Sequence, residues 1–384
     1  MLLPRVPCLL VSFTFFIGGT CASYLDFGIP TSSATVKVRA FNVANITFVN
    51  QPSVSLIGPV LPGRGTILFS DYAFLIEHTK SGKRLMFDLG TRIDPMNYAP
   101  SVVNKLFTQG IVQIKSPTKD IFAFLAEGGI ALDSIRTVIW SHSHFDHVGD
   151  MSKFPNATEL VIGPETETAT YPQVASASLL ASDFAGRTVT KVDFAAANLS
   201  LGSLKAVDYF GDGSFYLLDT PGHLPGHLTA LARVTPTSFL HLGGDSFHNA
   251  GELRPRPELL KNFPCPAHLL HEAKAAISTD YFWSPKSREG VFDLHSRAQQ
   301  FLVGSDLPTS LIASPITAGI SVDKIAGFDA DADFFVIAAH DVSLRDSIPY
   351  FPATLNNWKA LNLKEKVVWN FVDKKNPAFL FSPT

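Results

Sequence analysis

The chain has 384 residues, 46% of them hydrophobic, and a formal net charge of -3. That length allows one large or two medium domains with real cores, and the charge gives no basis for nucleic acid or an anionic membrane surface as partner. Glycine and proline, 26 of each, imply many turns and long loops.

The first residues carry Arg5 and then an almost unbroken apolar run over 8–17, followed by Thr20-Cys21-Ala22. A short positive region, an apolar stretch and small residues before a cleavage point read as a secretory signal peptide over 1–22. The run is short for a membrane span, although an uncleaved anchor is the competing reading. No later segment reads as a transmembrane helix, so no stable membrane insertion is expected after cleavage. Cleavage removes Cys8 and Cys21 and leaves Cys265 without an internal disulfide partner. Sequons at Asn45, Asn156 and Asn198 suit a glycoprotein that is secreted or held in the lumen of the secretory pathway.

Residues 35–41 alternate as a strand, and 45–62 has turn character. Short strands at 67–69, 72–77 and 84–87 have the spacing of an antiparallel meander. Residues 97–107 and 118–127 read as helices, the second stopped by Gly128-Gly129. A strand at 135–140, a strand at 160–163 and a short helix at 165–169 follow, and 171–187 reads as a loop with helical turns. Strands resume at 204–209, 215–218, 228–233 and 238–242. The character changes after 252, where Pro255, Pro257, Pro264 and Pro266 interrupt the chain, and 289–303 reads as an amphipathic helix. Residues 334–338 restore the strand pattern, and the segment holding Trp358 and Trp369 is expected to pack as a helix and a strand. This alternation is that of an α+β protein whose helices cover two central sheets. We read 23–384 as one domain, elaborated over about 250–330.

The densest chemistry lies just past the 135–140 strand, in Ser141-His142-Ser143-His144-Phe145-Asp146-His147-Val148-Gly149-Asp150. Imidazole nitrogens and carboxylate oxygens suit zinc and similar borderline ions. His142 and His144 can address one ion while Asp146 and His147 address a second. A histidine-rich surface loop is the bland alternative, but it gives no reason for four ligand-type side chains to crowd together. Three further strand ends deliver His223 in Thr220-Pro221-Gly222-His223, Asp245 after Gly243-Gly244, and His340. By chemistry alone His227 competes with His223. Asp88, in Asp88-Leu89-Gly90, can orient a ligand histidine or cap a turn. His241 reads as a strand-face residue, His268 and His271 as surface or helix histidines, and His78 and His295 carry no signal.

In this order of motifs, HxHxDH, TPGH, an aspartate after GG and a final histidine, the sequence resembles the metallo-beta-lactamase superfamily over roughly residues 35–345. The resemblance implies a four-layer αβ/βα sandwich and a dinuclear site. His142, His144 and His223 would hold one ion, and Asp146, His147 and His340 the other. Asp245 would bridge them beside a shared hydroxide, with His227 in a supporting role. Asp146 would assist proton transfer toward the leaving oxygen. Two divalent ions are implied, zinc above all, with manganese, iron or cobalt as alternatives.

Within the superfamily, SHSHFDHVGD with TPGHLPGHLTAL is most similar to the lactonase branch that includes the N-acyl homoserine lactonases. That branch carries a tyrosine three residues after the bridging aspartate, where this chain has His248, whose imidazole can donate to the same oxyanion or cap a loop. Phe145, between ligands, reads as a pocket wall. Phe247, Phe263, Tyr281, Phe282 and Trp283 either line a pocket or serve as ordinary core aromatics. The expected substrate is a small apolar ester or lactone. Beta-lactam, thioester and phosphotriester hydrolysis remain open, as do a non-catalytic metal-binding or regulatory role and a homodimer.

Overall fold

The structure is a computed structural model that describes residues 24–49, 52–115, 119–287 and 290–384. The signal-peptide reading, with Cys8 and Cys21, lies outside the described residues. Two mixed sheets dominate. The first contains β1 (Val36–Phe48), β2 (Ile67–His78), β3 (Arg84–Phe87), β4 (Val112–Lys115), β5 (Ile135–Ile139), β6 (Glu159–Ile162) and β7 (Val189–Lys191), in the spatial order β7-β6-β5-β3-β2-β1-β4. The second runs β8 (Leu199–Leu201), β9 (Leu204–Asp208), β10 (Phe215–Asp219), β11 (Leu228–Thr235), β12 (Ser238–Leu242) and β13 (Phe334–Ile337), in that order. It is antiparallel up to β12, and β13 then pairs parallel to β12.

Strands with apolar residues on both faces need cover on both sides, and that requirement produces the four layers. In β10, Phe215 and Leu217 join the core between the sheets, while Tyr216 and Leu218 face outward. The outer face of the second sheet packs on Val322, Ile325 and Phe328 of a helix, Pro315–Ala330, whereas Phe335 and Ile337 of β13 turn inward. Outside the first sheet, Leu75, Met86, Val138 and Leu160 meet Ile121 and Leu125 of the helix α1 (Ile121–Glu127). Asp120 caps that helix by accepting from the Ala123 amide at 3.0 Å. Each fully buried Phe or Leu contributes roughly 1.5–3 kcal/mol. Among the described residues, no helix is long and apolar enough to cross a membrane.

Several expectations are corrected. The strand read at 35–41 runs on to Phe48 through a bulge at Asn42 to Ala44, so the first residues of the stretch read as turn from Asn45 belong to the ladder. The strands read at 67–69 and 72–77 are one strand, β2, spanned along its length by β1. Residues 97–107 break into a 3-10 turn at Pro95–Asn97, a short helix at Pro100–Val102 and a π turn at Val103–Phe107. The helix at 165–169 is absent. Of the amphipathic helix at 289–303, the described part, from 290, holds a 3-10 turn at Leu294–Ser296 and a short strand at Val303–Gly304. Phe292, Leu294, Phe301 and Leu302 are all buried, a set that no single helix face can supply. After Trp358 the described chain forms a helix, Leu363–Val367, and a 3-10 turn, Asn370–Val372, but no strand.

Candidate metal centre

The site forms where several strands end side by side. β5 leads into His142 and His144 and then into the helical turn α2 (Phe145–Val148), which carries Asp146 and His147. β10, β12 and β13 deliver His223, Asp245 and His340. Gly244 adopts a left-handed φ of 48°, and a Cβ there would lie 2.8 Å from the Ser141 Cβ, so only glycine lets the two loops approach. The His223 loop is pinned from outside by the Ala313 and Ser314 amides, which donate to the His223 and Gly222 carbonyls at 2.8 and 2.9 Å.

Two clusters of donors result. In the first, His144 Nδ1 is 3.0 Å from both His142 Nε2 and His223 Nε2. Asp245 Oδ2 is 3.6 Å from His142 Nε2 and 3.3 Å from His223 Nε2. In the second, His340 Nε2 lies 3.5 Å from Asp146 Oδ2, and His147 Nε2 lies 3.9 Å from Asp146 Oδ1. The other oxygen of Asp245, Oδ1, is 3.0 Å from His147 Nε2 and 3.2 Å from His340 Nε2. Asp245 therefore presents one oxygen to each cluster. A tetrahedral ion with ligands at about 2.0–2.1 Å holds them roughly 3.3 Å apart, which matches this spacing.

The hydrogen bonds around the clusters test whether a cation fits. His147 Nδ1 is 2.9 Å from Asp88 Oδ2, which can only accept, so Nδ1 carries the proton and Nε2 presents a lone pair. His340 Nδ1 likewise donates to the Ser70 carbonyl at 2.8 Å. Ser141 Oγ donates to Asp88 Oδ2 at 2.8 Å and accepts from His142 Nδ1 at 3.0 Å. His147 Nε2 and Asp245 Oδ1 are buried without a hydrogen-bond partner among the described residues, although they face each other. Lone pairs and carboxylate oxygens converging out of water need a cation, and this donor set suits a pair of divalent ions.

In the metal-free site, protons on two of the histidines take the cation's place. Burial alone would raise Asp245, but His147, His340 and His142 hold it well below the usual carboxylate range. Burial would depress His340, yet Asp245 and Asp146 carry it up to about 9. Against the same burial, Asp245 and Asp88 lift His147 well above the usual imidazole value. Burial dominates at His142 and His223, both pushed well below that value, and takes His144 down to about 4.

The remaining histidines sort as their chemistry dictates. His227 donates from Nδ1 to the Thr220 carbonyl at 2.8 Å and accepts the Asp245 amide at Nε2, 3.1 Å away. Both nitrogens are spent, so His227 positions Asp245 and is not a ligand. His241 bonds Thr229 from the strand face, His268 and His271 are exposed on a helix, Ala267–Ala276, and His78 pairs with Asp212. His248 sits within the site, with Nε2 3.3 Å from Asp245 Oδ2 and its ring 5.9 Å from that of Phe69.

A cavity of about 250 Å³ opens over the centre, walled by Phe48, Leu56, Phe69, Val102, Leu106 and Phe145 and floored by residues of both donor clusters and His248. Phe145 takes the wall position expected of it. Phe247, Phe263 and Phe282 are core residues instead, and Tyr281 and Trp283 are 44% and 64% exposed, away from this cavity. Sequence reading missed Phe48 and Phe69, which look like ordinary strand residues. It also missed Glu252, a buried carboxyl that accepts the His248 and Asn249 amides at 2.7 and 3.1 Å. The pattern Asn249-x-x-Glu252 was the available signal, since it is a capping box.

Residues 68–233 match the family profile of the metallo-beta-lactamase superfamily. The chain is 37% identical over 372 residues to the metallo-hydrolase mfmC of Annulohypoxylon moriforme, with 91% of this chain and 90% of that protein covered. It is 33% identical to the gamma-lactamase FDB1 of Fusarium pseudograminearum, with 91% and 84% covered. By contrast, the chain spans only 38% of the length of the Penicillium cytochrome P450 monooxygenases named mpaDE that it also matches. A solved structure of B. thuringiensis AiiA with N-decanoyl-L-homoserine bound at its active site is 15% identical, covers 85% of this chain and 100% of that one, and superposes with a TM-score of 0.51. That likeness concerns the fold. Fold, motif order and relatives agree, and the chain belongs to the metallo-beta-lactamase superfamily.

Proposed function

We propose that the chain is a dinuclear metal-dependent hydrolase that opens a lactone, or a related carboxylic ester, with an apolar portion. The observation that carries this reading is Asp245, which turns one oxygen to each of two donor clusters at the floor of an apolar cavity. His142, His144 and His223 would hold one ion, Asp146, His147 and His340 the other, and Asp245 both. Zinc fits these ligands, and manganese, iron or cobalt are compatible with them. When bound, the two ions supply a nucleophile at neutral pH and polarise the carbonyl under attack.

The protein's own groups do the rest. Phe48, Leu56, Phe69 and Leu106 receive the apolar part of the substrate and exclude water from it. His227 and the Asp88–Ser141 pair fix Asp245, His142 and His147 in place. Asp146 stands at the cavity floor, where it can pass a proton to the departing oxygen. His248 is within reach of an oxygen held beside Asp245 and would donate to it from Nε2. The similarity to a gamma-lactamase favours a second reading, in which the bond opened is a lactam amide.

The test is a panel assay on the metal-loaded protein. Aliphatic γ- and δ-lactones, acyl homoserine lactones, a γ-lactam, a beta-lactam, a thioester and a phosphotriester are compared with and without chelator. Chelator-sensitive turnover of lactones is expected. Turnover confined to the lactam would replace the substrate class, and silence across the panel with two ions bound would favour a non-catalytic role. His144→Ala should lose both metal and turnover, whereas His268→Ala, on the exposed helix, should lose neither.

A further inference from the structure

A second cavity, of about 290 Å³, meets the first at the metal centre, with His223, Asp245 and His248 in the walls of both. Its mouth differs from the first, being rimmed by exposed Val303, Ile316 and Ile320. Inside it lies Glu252, only 3% exposed. One carboxylate oxygen, Oε1, is occupied by the His248 and Asn249 amides. The other, Oε2, has no hydrogen-bond partner among the described residues. Gly304, also in the cavity wall, lies beside this oxygen: a Cβ there would sit at contact distance, 3.9 Å, from Glu252 Oε2 and 2.7 Å from Ile312 Cδ1.

We infer that the substrate extends to both sides of the metal centre, with an apolar arm in the first cavity and a second arm whose hydroxyl or N–H donates to Glu252 Oε2. This rests on the hydrolase reading above and adds a specificity residue to it. A purely structural Glu252 would need only the oxygen that caps the helix start at Asn249. A carboxylate whose other oxygen faces a cavity accepts hydrogen bonds and cannot donate them, so it selects a donor on the ligand.

Glu252→Gln separates these roles. The amides of His248 and Asn249 require the glutamine carbonyl at the Oε1 position, which keeps the helix cap and leaves the NH₂ facing the cavity. The probes are γ-lactones with a pentyl chain on one side of the ring and either a hydroxymethyl or a methoxymethyl group on the other, in both placements. Affinity is read by calorimetry with the ring-opened acids, and kcat/KM with the lactones. Measurements are made at pH 8.5, above the value of about 7 to which burial raises Glu252. The wild type should favour the hydroxymethyl ligand by about tenfold to a hundredfold, the range for a hydrogen bond to a charged group. In E252Q that preference should collapse, with the ether gaining.

Equal preference in wild type and E252Q, or no binding of either acid to the wild type, overturns the inference. An affinity preference without lactone turnover keeps the subsite and removes the lactone reading. Turnover without preference does the reverse. Should E252Q fail to fold, Ile320→Trp at the exposed rim serves instead. It should weaken the two-armed ligands while sparing a pentyl lactone with no second arm, and equal effects on both would refute the second cavity's role.

Discussion

Asp88→Asn isolates the contribution of one oxygen to the second ion. Asp88 has a left-handed φ of 58°, which asparagine adopts readily, so the backbone should not object. The asparagine carbonyl can still accept the Ser141 amide, as Asp88 Oδ1 does at 2.6 Å. The new NH₂ then stands where Oδ2 was, 2.9 Å from His147 Nδ1. Two donors cannot face each other, so the imidazole proton moves to Nε2, the atom aimed at Asp245 Oδ1. His147 is thereby lost as a ligand in its ready form. His142 feels the change only through Ser141 Oγ, which can go on accepting from it. Removal of such supporting groups costs about 10- to 100-fold in metal affinity, or roughly 1.4–2.8 kcal/mol. The assay is competition with a chromophoric chelator, resolved into two binding steps. One step should fall by that factor and the other by less. Equal losses in both steps, or no loss at all, would refute the tautomer argument.

Metal uptake should release protons. His340 is held up to about 9 by Asp245 and Asp146, so at pH 7.5 the metal-free site holds it protonated, and an ion entering there must displace that proton. Calorimetric titrations in buffers of different ionisation enthalpy should give at least one proton per second ion, and zero would contradict the geometry. A stability test lies at Arg254, which grips Asp329 with two bonds of 2.8 and 2.7 Å where both side chains are buried. Asp329→Ala strands that charge and should cost about 3–5 kcal/mol in urea unfolding at pH 7. Burial would raise Asp329, but Arg254 holds it below the usual range. Its contribution is therefore present above the unfolded carboxylate value and is lost as pH falls through the folded one. The gap between wild type and variant should narrow at pH 3, and a gap that widened would reverse the sign. Lastly, we propose passage through a secretory pathway. Glycans are then expected at exposed Asn156 and Asn198, and not at half-buried Asn45, which lies in β1 between Ser70 and Lys115. Peptide mapping after endoglycosidase treatment reads this directly, and a glycan found only at Asn45 would contradict it.

The candidate metal ligands were legible because ion chemistry writes itself locally. Three histidines and an aspartate crowd into HxHxDH, and the other donors each follow an apolar strand that can be recognised alone. The groups that hold those ligands were harder to see. Ser70 acts through its backbone carbonyl, which any residue type would supply. Asp71 is buried, bonded to the Thr91 amide and pushed up to about 8 by burial and by Asp146, a neighbour distant in sequence. Residues from Asn45 on read as turn, yet Asn42 donates to Asn45 across a bulge within a strand, and Asn42 also accepts the Asp71 amide. The elaborated segment was misread for a related reason. Its aromatic residues reach the core from turns, so no period marks them, and the helix Pro315–Ala330, which packs on the outer face of the second sheet, was not read at all.

Dinuclear hydrolysis is tested most directly by lactone turnover measured as zinc is added back to metal-free protein, with bound metal counted at each step. Little turnover is expected up to one equivalent, then a rise to a plateau at two, and loss of activity on chelation. Turnover that persists without metal, or two bound ions with no hydrolysis of any carbonyl substrate, would contradict it.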